Sequence, residues 1–390
     1  MARFLIVTWD GGGNVPPAFA IARALLEAGH EVVIAGQELA ERPGAVVAGG
    51  HTTLQERCEA RGFPFTLLER SSAAWQTAPE PRIVGAMMAC PQHLADLAAV
   101  LADQEPDVAL VDCLMFGALA AMEDHDTPTA VLIHSAPGLL MAPGGEMDRF
   151  LLRPVNELRE RFGRNPVARL WDAWSAFPAI CTTIPEFDPL AASAPPSFHY
   201  VGPVFDRAES ASAWQPPFAA EDHHPLVLVS FASTSAWDQR SRIERTLEAL
   251  GGGPYRLLLT TSRTDLRDLS VPDNAAVVQH VPHHDVLPEV GVMVSHAGHG
   301  SVLTALAYGV PLVCLPNPVA DQPGIAHQVE ALGAGRALDG DNATAAEIAT
   351  AVREVLGEPS YAGEARQLAA LVSRTTGAAS AADRLAQLTR

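Results

Sequence analysis

The stretch "SHAGHGSVLTALAYGVPL", residues 295–312, places two histidines and two glycines between Ser295 and Ser301, directly ahead of an apolar helical pattern. "VGVMVS" before it reads as a strand and "SVLTALAYG" after it as a helix, so His296–Ser301 lies on a strand-to-helix turn. A helix N-terminus there offers unpaired N–H groups and about half a unit of positive charge. Gly298 and Gly300 let a ligand approach the backbone, Ser301 can cap the helix or donate its hydroxyl, and His296 adds a side-chain donor. That assembly suits an anion; a glycine-rich turn with a serine N-cap and incidental histidines is the plain alternative. Metal binding is weaker, because His296 and His299 sit in a glycine turn with no third ligand nearby in sequence. Ser301 also lacks the second glycine of a GxSxG nucleophile elbow.

The elements that must carry this turn alternate. "RFLIVTW" and "HEVVIAG" read as strands buried on both faces of a parallel sheet. Between them, "DGGGNVPP" is a loop with proline at a helix start, and "AFAIARALLEAG" is a helix with Phe19, Ala22, Leu25 and Leu26 on one stripe, stopping at Gly29. "DVALVD", a helix over Phe116–Met122 and "PTAVLIH" continue the series. Periodicity lapses between about 203 and 225, where Pro, Ser and Ala dominate. A second series then runs through "LVLVSF", a helix around Arg240–Leu250, "YRLLLTT", "AAVVQHV", "VGVMVSH" and "PLVCLP". We therefore expect an α/β chain of two parallel-sheet halves: residues 1–205, a linker over 206–222, residues 223–365, and a helical tail over 366–390.

The bulk numbers narrow the classes. The 390 residues fit two domains, and all 26 basic residues are arginine against 45 acidic ones, giving a net charge of −19. Such a surface repels phosphate backbones and anionic lipid, so neither nucleic acid nor membrane surface is an expected partner. The five scattered cysteines show no CxxC spacing, which suits a reducing cytoplasm. No stretch approaches the ~20 apolar residues of a membrane span.

Together the segment "SHAGHGSVLTALAYGVPLVCLPNPVADQPGIAHQVEALGAG" and the opening "TWDGGGNVPPAFAIARALLEAGHEV" resemble family 1 glycosyltransferases of the GT-B fold, notably the bacterial enzymes that decorate macrolides and other natural products. The resemblance implies two Rossmann-like domains facing across a cleft, with the last helix crossing back to the first. It implies that His296, Gly298, Gly300 and Ser301 hold a donor diphosphate, with Ser233 and Thr234 of "SFAST" nearby. Asp321 and Gln322 would bind the sugar hydroxyls, and Val281 of "QHVPHH" the nucleobase. Stabilising the departing nucleoside diphosphate in this way needs neither metal nor cofactor. A dTDP- or UDP-sugar donor and a small hydrophobic acceptor are the expected partners, and a homodimer is compatible. Trp75, Met87, Met88 and Met141 are candidates for lining the acceptor, or equally for core.

Two positions depart from the family pattern. Where the family has Glu three residues after the serine of HxGxGS, this chain has Thr304, which favours the single free hydroxyl of a deoxyribose and hence dTDP over UDP. Where the family's first loop ends in a His or Asp that takes the acceptor proton, this chain has Asn14, an amide without useful basicity. Asp112 of "LVDCLMF" matches the carboxylate that usually supports that base. Asp10, Asp112 and His134 are the replacement candidates, Asp10 first because it ends the first strand in the same loop. Loop capping explains the two acids otherwise, and a satisfied strand-end histidine explains His134.

Other readings carry less. "DGGGN" lacks the GxGxxG spacing of a dinucleotide site. "EDHD" (123–126) and "DGD" (339–341) echo a DxD metal motif but sit in short polar connections. The expected activity is inverting transfer of a sugar, with a deoxysugar expected, from a dTDP- or UDP-sugar to a mostly apolar natural product. A catalytically impaired sugar-nucleotide binder or activating partner is the alternative that Asn14 raises, and a sugar-nucleotide epimerase on the same fold is a further one.

Overall fold

The computed structural model describes residues 1–39, 52–78, 83–206, 215–231, 239–261, 264, 266–318 and 320–389. They divide into two units, Met1–Asp206 with Thr375–Arg390, and Arg207–Arg374.

The first unit is built on seven parallel strands: β1 (Arg3–Trp9), β2 (Glu31–Gln37), β3 (Phe65–Leu67), β4 (Val108–Asp112), β5 (Thr129–Ile133), β6 (Ala179–Cys181) and β7 (Phe198–Tyr200). Their spatial order is β3-β2-β1-β4-β5-β6-β7. The apolar run of β1 is buried on both faces, as its sequence requires: Leu5, Val7 and Trp9 join one core, Phe4 and Ile6 the other. The helix Val15–Glu27 ends as its sequence anticipates, with Gly29 at φ 83° and the His30 N–H donating to the Leu25 carbonyl at 3.0 Å. Strand order reverses between β1 and β4. In open α/β sheets the loops beyond such a reversal diverge and leave a crevice for ligands.

The second unit holds β8 (Leu226–Ser230), β9 (Arg256–Thr260), β10 (Ala275–Val278), β11 (Val290–Ser295), β12 (Leu312–Cys314) and β13 (Gly335–Ala337), all parallel, in the order β10-β9-β8-β11-β12-β13. Its reversal lies between β8 and β11. One face is covered by the helices Gln239–Leu250 and Ala345–Gly357, whose Ile243, Leu247, Ile348 and Val352 pack on Val227, Val229 and Val292.

The tail divides later than its sequence suggests. The helix Pro359–Val372 buries Ala365, Leu368 and Val372 and packs on the helix His299–Ala307 of the second unit. Only from Thr375 does the chain belong to the first unit, where the helix Ala378–Gln387 lies along Val15–Glu27 and buries Ala381, Ala382 and Leu385. That apolar stripe, rather than the start of the helical tail at 366, sets the boundary. Residues 207–214 of the expected linker lie outside the described residues; 215–224 contain neither strand nor helix. Among the described residues no helix is long and apolar enough to cross a membrane. All five cysteines are free and buried.

Candidate functional site

Each sheet reversal collects polar side chains that the sequence scatters. In the first unit the collecting group is Asp112, at the end of β4 and 1% exposed. Its Oδ1 accepts from Trp9 Nε1 at 3.1 Å and the Leu114 N–H at 2.9 Å. Its Oδ2 accepts from Asn14 Nδ2 and lies 3.2 Å from His134 Nδ1. A carboxylate only accepts, so Nδ1 of His134 carries the proton and Nε2 is the basic nitrogen. Nε2 has no hydrogen bond among the described residues and is not one of the sealed polar atoms. The ring keeps 12% of its side chain exposed. β4 and β5 make this pairing: Asp112 is in register with Leu132, so His134 follows on the same face two residues beyond.

Burial pulls the His134 imidazole down, yet Cys113 and Asp112 beside it outweigh this and raise its pKa well above the ordinary value. Burial also raises the Cys113 thiol, 3.6 Å from the same Nδ1, and keeps it uncharged. The lasting charge beside the ring is therefore Asp112. Asp112, Cys113 and His134 bring an oxygen, a sulfur and a nitrogen within 4.8 Å of one another. However, four N–H donors already occupy the lone pairs of Asp112, and a cation would have to displace them.

The other candidates for the base fare differently. Asp10 is 2% exposed and its Oδ1 is ion-paired with Arg57 Nη1 at 3.1 Å, which corrects its ranking as first candidate: a paired carboxylate is a poor proton acceptor. Asn14 is buried, its Nδ2 donating to Thr8 Oγ1, the Trp9 carbonyl and Asp112 while its Oδ1 is sealed without a partner. Trp75, Met87 and Met141 are 0–1% exposed in the core, which corrects their assignment to an acceptor surface; Met88 packs partly buried against them. Residue type alone does not separate a core methionine from a pocket methionine.

In the second unit the turn after β11 is anchored by a helix that starts earlier than its sequence suggests. Gly298 is the N-cap of His299–Ala307, so Ser301 stands in the first turn and does not cap it. Ala297 takes a left-handed φ of 60°, a strained conformation for a residue with a Cβ. The His296 ring lies over Gly298, where a Cβ would come within 2.5 Å of its Nε2. His296 Nδ1 is sealed without a partner, and burial holds the imidazole down at about 4, so it is neutral at pH 7. Gly300 is open, with nothing within 4 Å of a Cβ there. Thr304 Oγ1 donates to the Gly300 carbonyl at 2.6 Å, which leaves it only acceptor capacity.

Around this turn, Thr260 Oγ1 donates to Ser230 Oγ at 2.9 Å, and Ser230 Oγ lies 3.2 Å from His283 Nε2. Burial, with His280 and His284 adding to it, pulls His283 down to about 4, so it is neutral. Val281 is 5% exposed, and among the described residues its backbone makes no backbone hydrogen bond. Asp321 and Gln322 open the helix Gln322–Ala331, just after Ala320 at φ 53°. Ser233 and Thr234 lie outside the described residues. Four acids of the DxD-like segments are engaged: Glu123 pairs with Arg159, Asp124 with Arg164 and Asp341 with Arg242, while Asp339 accepts from turn N–H groups.

Sequence reasoning missed Arg242 and Asn317, both buried, and Trp9 as a donor to Asp112. Arg242 did leave a signal: it stands on the buried stripe Gln239, Arg242, Ile243, Thr246, Leu247 and Leu250, where a charge needs a partner.

Residues 244–387 match the family described as "Erythromycin biosynthesis protein CIII-like, C-terminal domain". The chain is 28% identical to 4'-demethylrebeccamycin synthase of Lentzea aerocolonigenes over 94% of each chain. It is 27% identical to aclacinomycin-T 2-deoxy-L-fucose transferase of Streptomyces galilaeus over 92% of this chain and 90% of that relative. The structure of the glycotransferase of kitacinnamycin superposes with a TM-score of 0.79 over 99% of this chain and 98% of that one, at 22% identity, a likeness of fold. With two parallel-sheet units of this topology and an EryCIII-like segment over 244–387, the chain is a glycosyltransferase of the GT-B fold, similar along its length to transferases of natural-product and antibiotic pathways.

Proposed function

We propose that the chain is an inverting glycosyltransferase that moves a sugar from a dTDP-sugar to a mostly apolar aglycone, without a metal, and that His134 is its general base. The observation that carries this reading is the Asp112–His134 pair, at 3.2 Å, which leaves His134 Nε2 basic and unbonded. An acceptor hydroxyl gives its proton to Nε2 as its oxygen attacks the anomeric carbon. The bond from that carbon to the diphosphate oxygen breaks, and the nucleoside diphosphate leaves with the electron pair. Asp112 stabilises the imidazolium that forms.

In the second unit, the first-turn N–H groups of His299–Ala307 and the half-buried imidazole of His296 beside Gly298 suit the charge that develops on the diphosphate. Thr304, with its hydroxyl hydrogen held by Gly300, offers a nucleoside one acceptor where a carboxylate would serve two ribose hydroxyls, which supports dTDP. The name of the aclacinomycin-T 2-deoxy-L-fucose transferase supports a deoxysugar.

Two measurements test this. In turnover, a transferase consumes the donor only with an acceptor, an epimerase converts it alone, and a binding partner does neither. In calorimetry with dTDP, UDP and NAD, we expect dTDP to bind tightest and His296→Ala to weaken it by about 1–3 kcal/mol. Binding of NAD alone would reject the donor-site assignment. Gly298→Ala, whose Cβ displaces the His296 ring, should weaken dTDP in the same sense. Wild-type affinity in that variant would show that the ring does not reach the ligand.

A further inference from the structure

Asn317 is fully buried between a cation and a surface amide. Its Oδ1 accepts from Arg242 Nη1 at 2.6 Å and from Gln239 Nε2 at 3.3 Å. Its Nδ2 donates to Gln322 Oε1 at 2.9 Å, and the same Oε1 accepts from the Asn317 backbone N–H at 3.2 Å. Arg242, 1% exposed, is itself held by the Gly340 carbonyl at 3.0 Å and by Asp341.

A guanidinium has no acceptor and does not deprotonate, so the Asn317 amide cannot turn over without setting N–H against N–H. Its polarity is passed on: Oδ1 faces Arg242, hence Nδ2 faces Gln322, hence Gln322 keeps its Oε1 inward. Gln322 Nε2 is left half-buried, not sealed, and without a hydrogen bond among the described residues.

We propose that Arg242 and Asn317 are positioning residues that lock the Gln322 amide with its N–H groups toward the donor sugar, selecting a sugar with an oxygen acceptor there. This rests on the assignment of Gln322 to the donor sugar. A hydroxyl, ether or carbonyl oxygen satisfies the presented N–H. A protonated amino substituent, which only donates, is rejected because both partners would be left unpaired.

Asn317→Asp tests it with almost no change of shape. The carboxylate keeps its bonds to Arg242 and Gln239 but no longer donates to Gln322, whose amide turns over to give the carboxylate a charge-assisted N–H bond, gives up the weaker bond from the residue-317 backbone N–H, and presents Oε1. The readout is calorimetry with dTDP and dTDP-glucose, and with UDP and UDP-glucose, on wild type, Asn317→Asp, Gln322→Ala and the double variant. We expect Asn317→Asp to weaken the nucleotide sugar about tenfold while the sugar-free diphosphate keeps its affinity, and to have no further effect in the Gln322→Ala background. Equal weakening of both ligands, no weakening at all, or full additivity with Gln322→Ala would each overturn the positioning role. A wild type that binds no nucleotide would overturn the donor-site reading itself, and the assignment with it.

Discussion

Replacing His134 with glutamine lowers kcat by about 100- to 10,000-fold, the usual contribution of a general base, and leaves affinity for the nucleoside diphosphate unchanged. Glutamine keeps a donor toward Asp112 and loses only the basic nitrogen. Asp112→Asn reaches the same result by another route. Its amide sets an N–H against His134 Nδ1–H, so the ring takes the other tautomer and Nε2 becomes a donor. The pH profile separates the base from a bystander. In wild type, activity rises with pH as His134 loses its proton, and that limb lies above the ordinary imidazole value of about 6.5, because the Asp112 carboxylate overcomes the effect of burial. With Asp112→Asn the charge is gone, burial prevails, and any residual activity shifts its limb to lower pH. A His134→Gln enzyme with wild-type kcat would return the role to another group.

Asn14→Asp is expected to destabilise the first unit by about 3–5 kcal/mol at pH 8, the range for an uncompensated buried charge. The change puts a second carboxylate about 3.2 Å from Asp112 Oδ2, where the Asn14 Nδ2 now donates. Thr8 Oγ1 can still donate to it, but the contact with the Trp9 carbonyl turns repulsive. Both burial and the like charge raise the folded-state pKa of the new acid above its unfolded value of about 3.9. A raised acid favours the folded state only while protonated, so the pH-dependent part of the destabilisation is absent below the unfolded pKa, grows from there up to the folded pKa and is complete above it. Urea unfolding of both proteins at pH 5 and pH 8 measures this. A difference that is the same at both pH values would mean that the new carboxylate is not charged against Asp112. The amide at 14 thus fits a site whose single negative charge is shared by two side-chain N–H donors and the imidazole.

How much of this was legible in advance follows from how far each feature reaches along the chain. Residues 295–301 are local: a glycine-rich joint between a strand and a helix is written in consecutive residues, and the structure finds it at the end of β11. The central strands of the two parallel sheets were legible because they repeat the same buried apolar run, whereas β3, β6, β7 and β13, three residues each, are too short to show one. The helix start at Gly298, in place of the serine cap, was not legible, since a cap is decided by backbone dihedrals that two neighbouring polar residues satisfy about equally well.

The sequence by itself determined the element types, the class of fold and the polar turn that ends β11, because periodicity and turn chemistry act over a few residues. Tertiary structure alone decided which candidate base is tied up and which is available. Asp10 meets Arg57 across 47 positions, and Asp112 meets Asn14 across 98. It likewise decided that Trp75 and Met141 are core, and that Arg242 reaches Asn317 across 75 positions to orient Gln322. Strand order and side-chain packing bring such groups together, and neither is encoded in the spacing of the residues that they join.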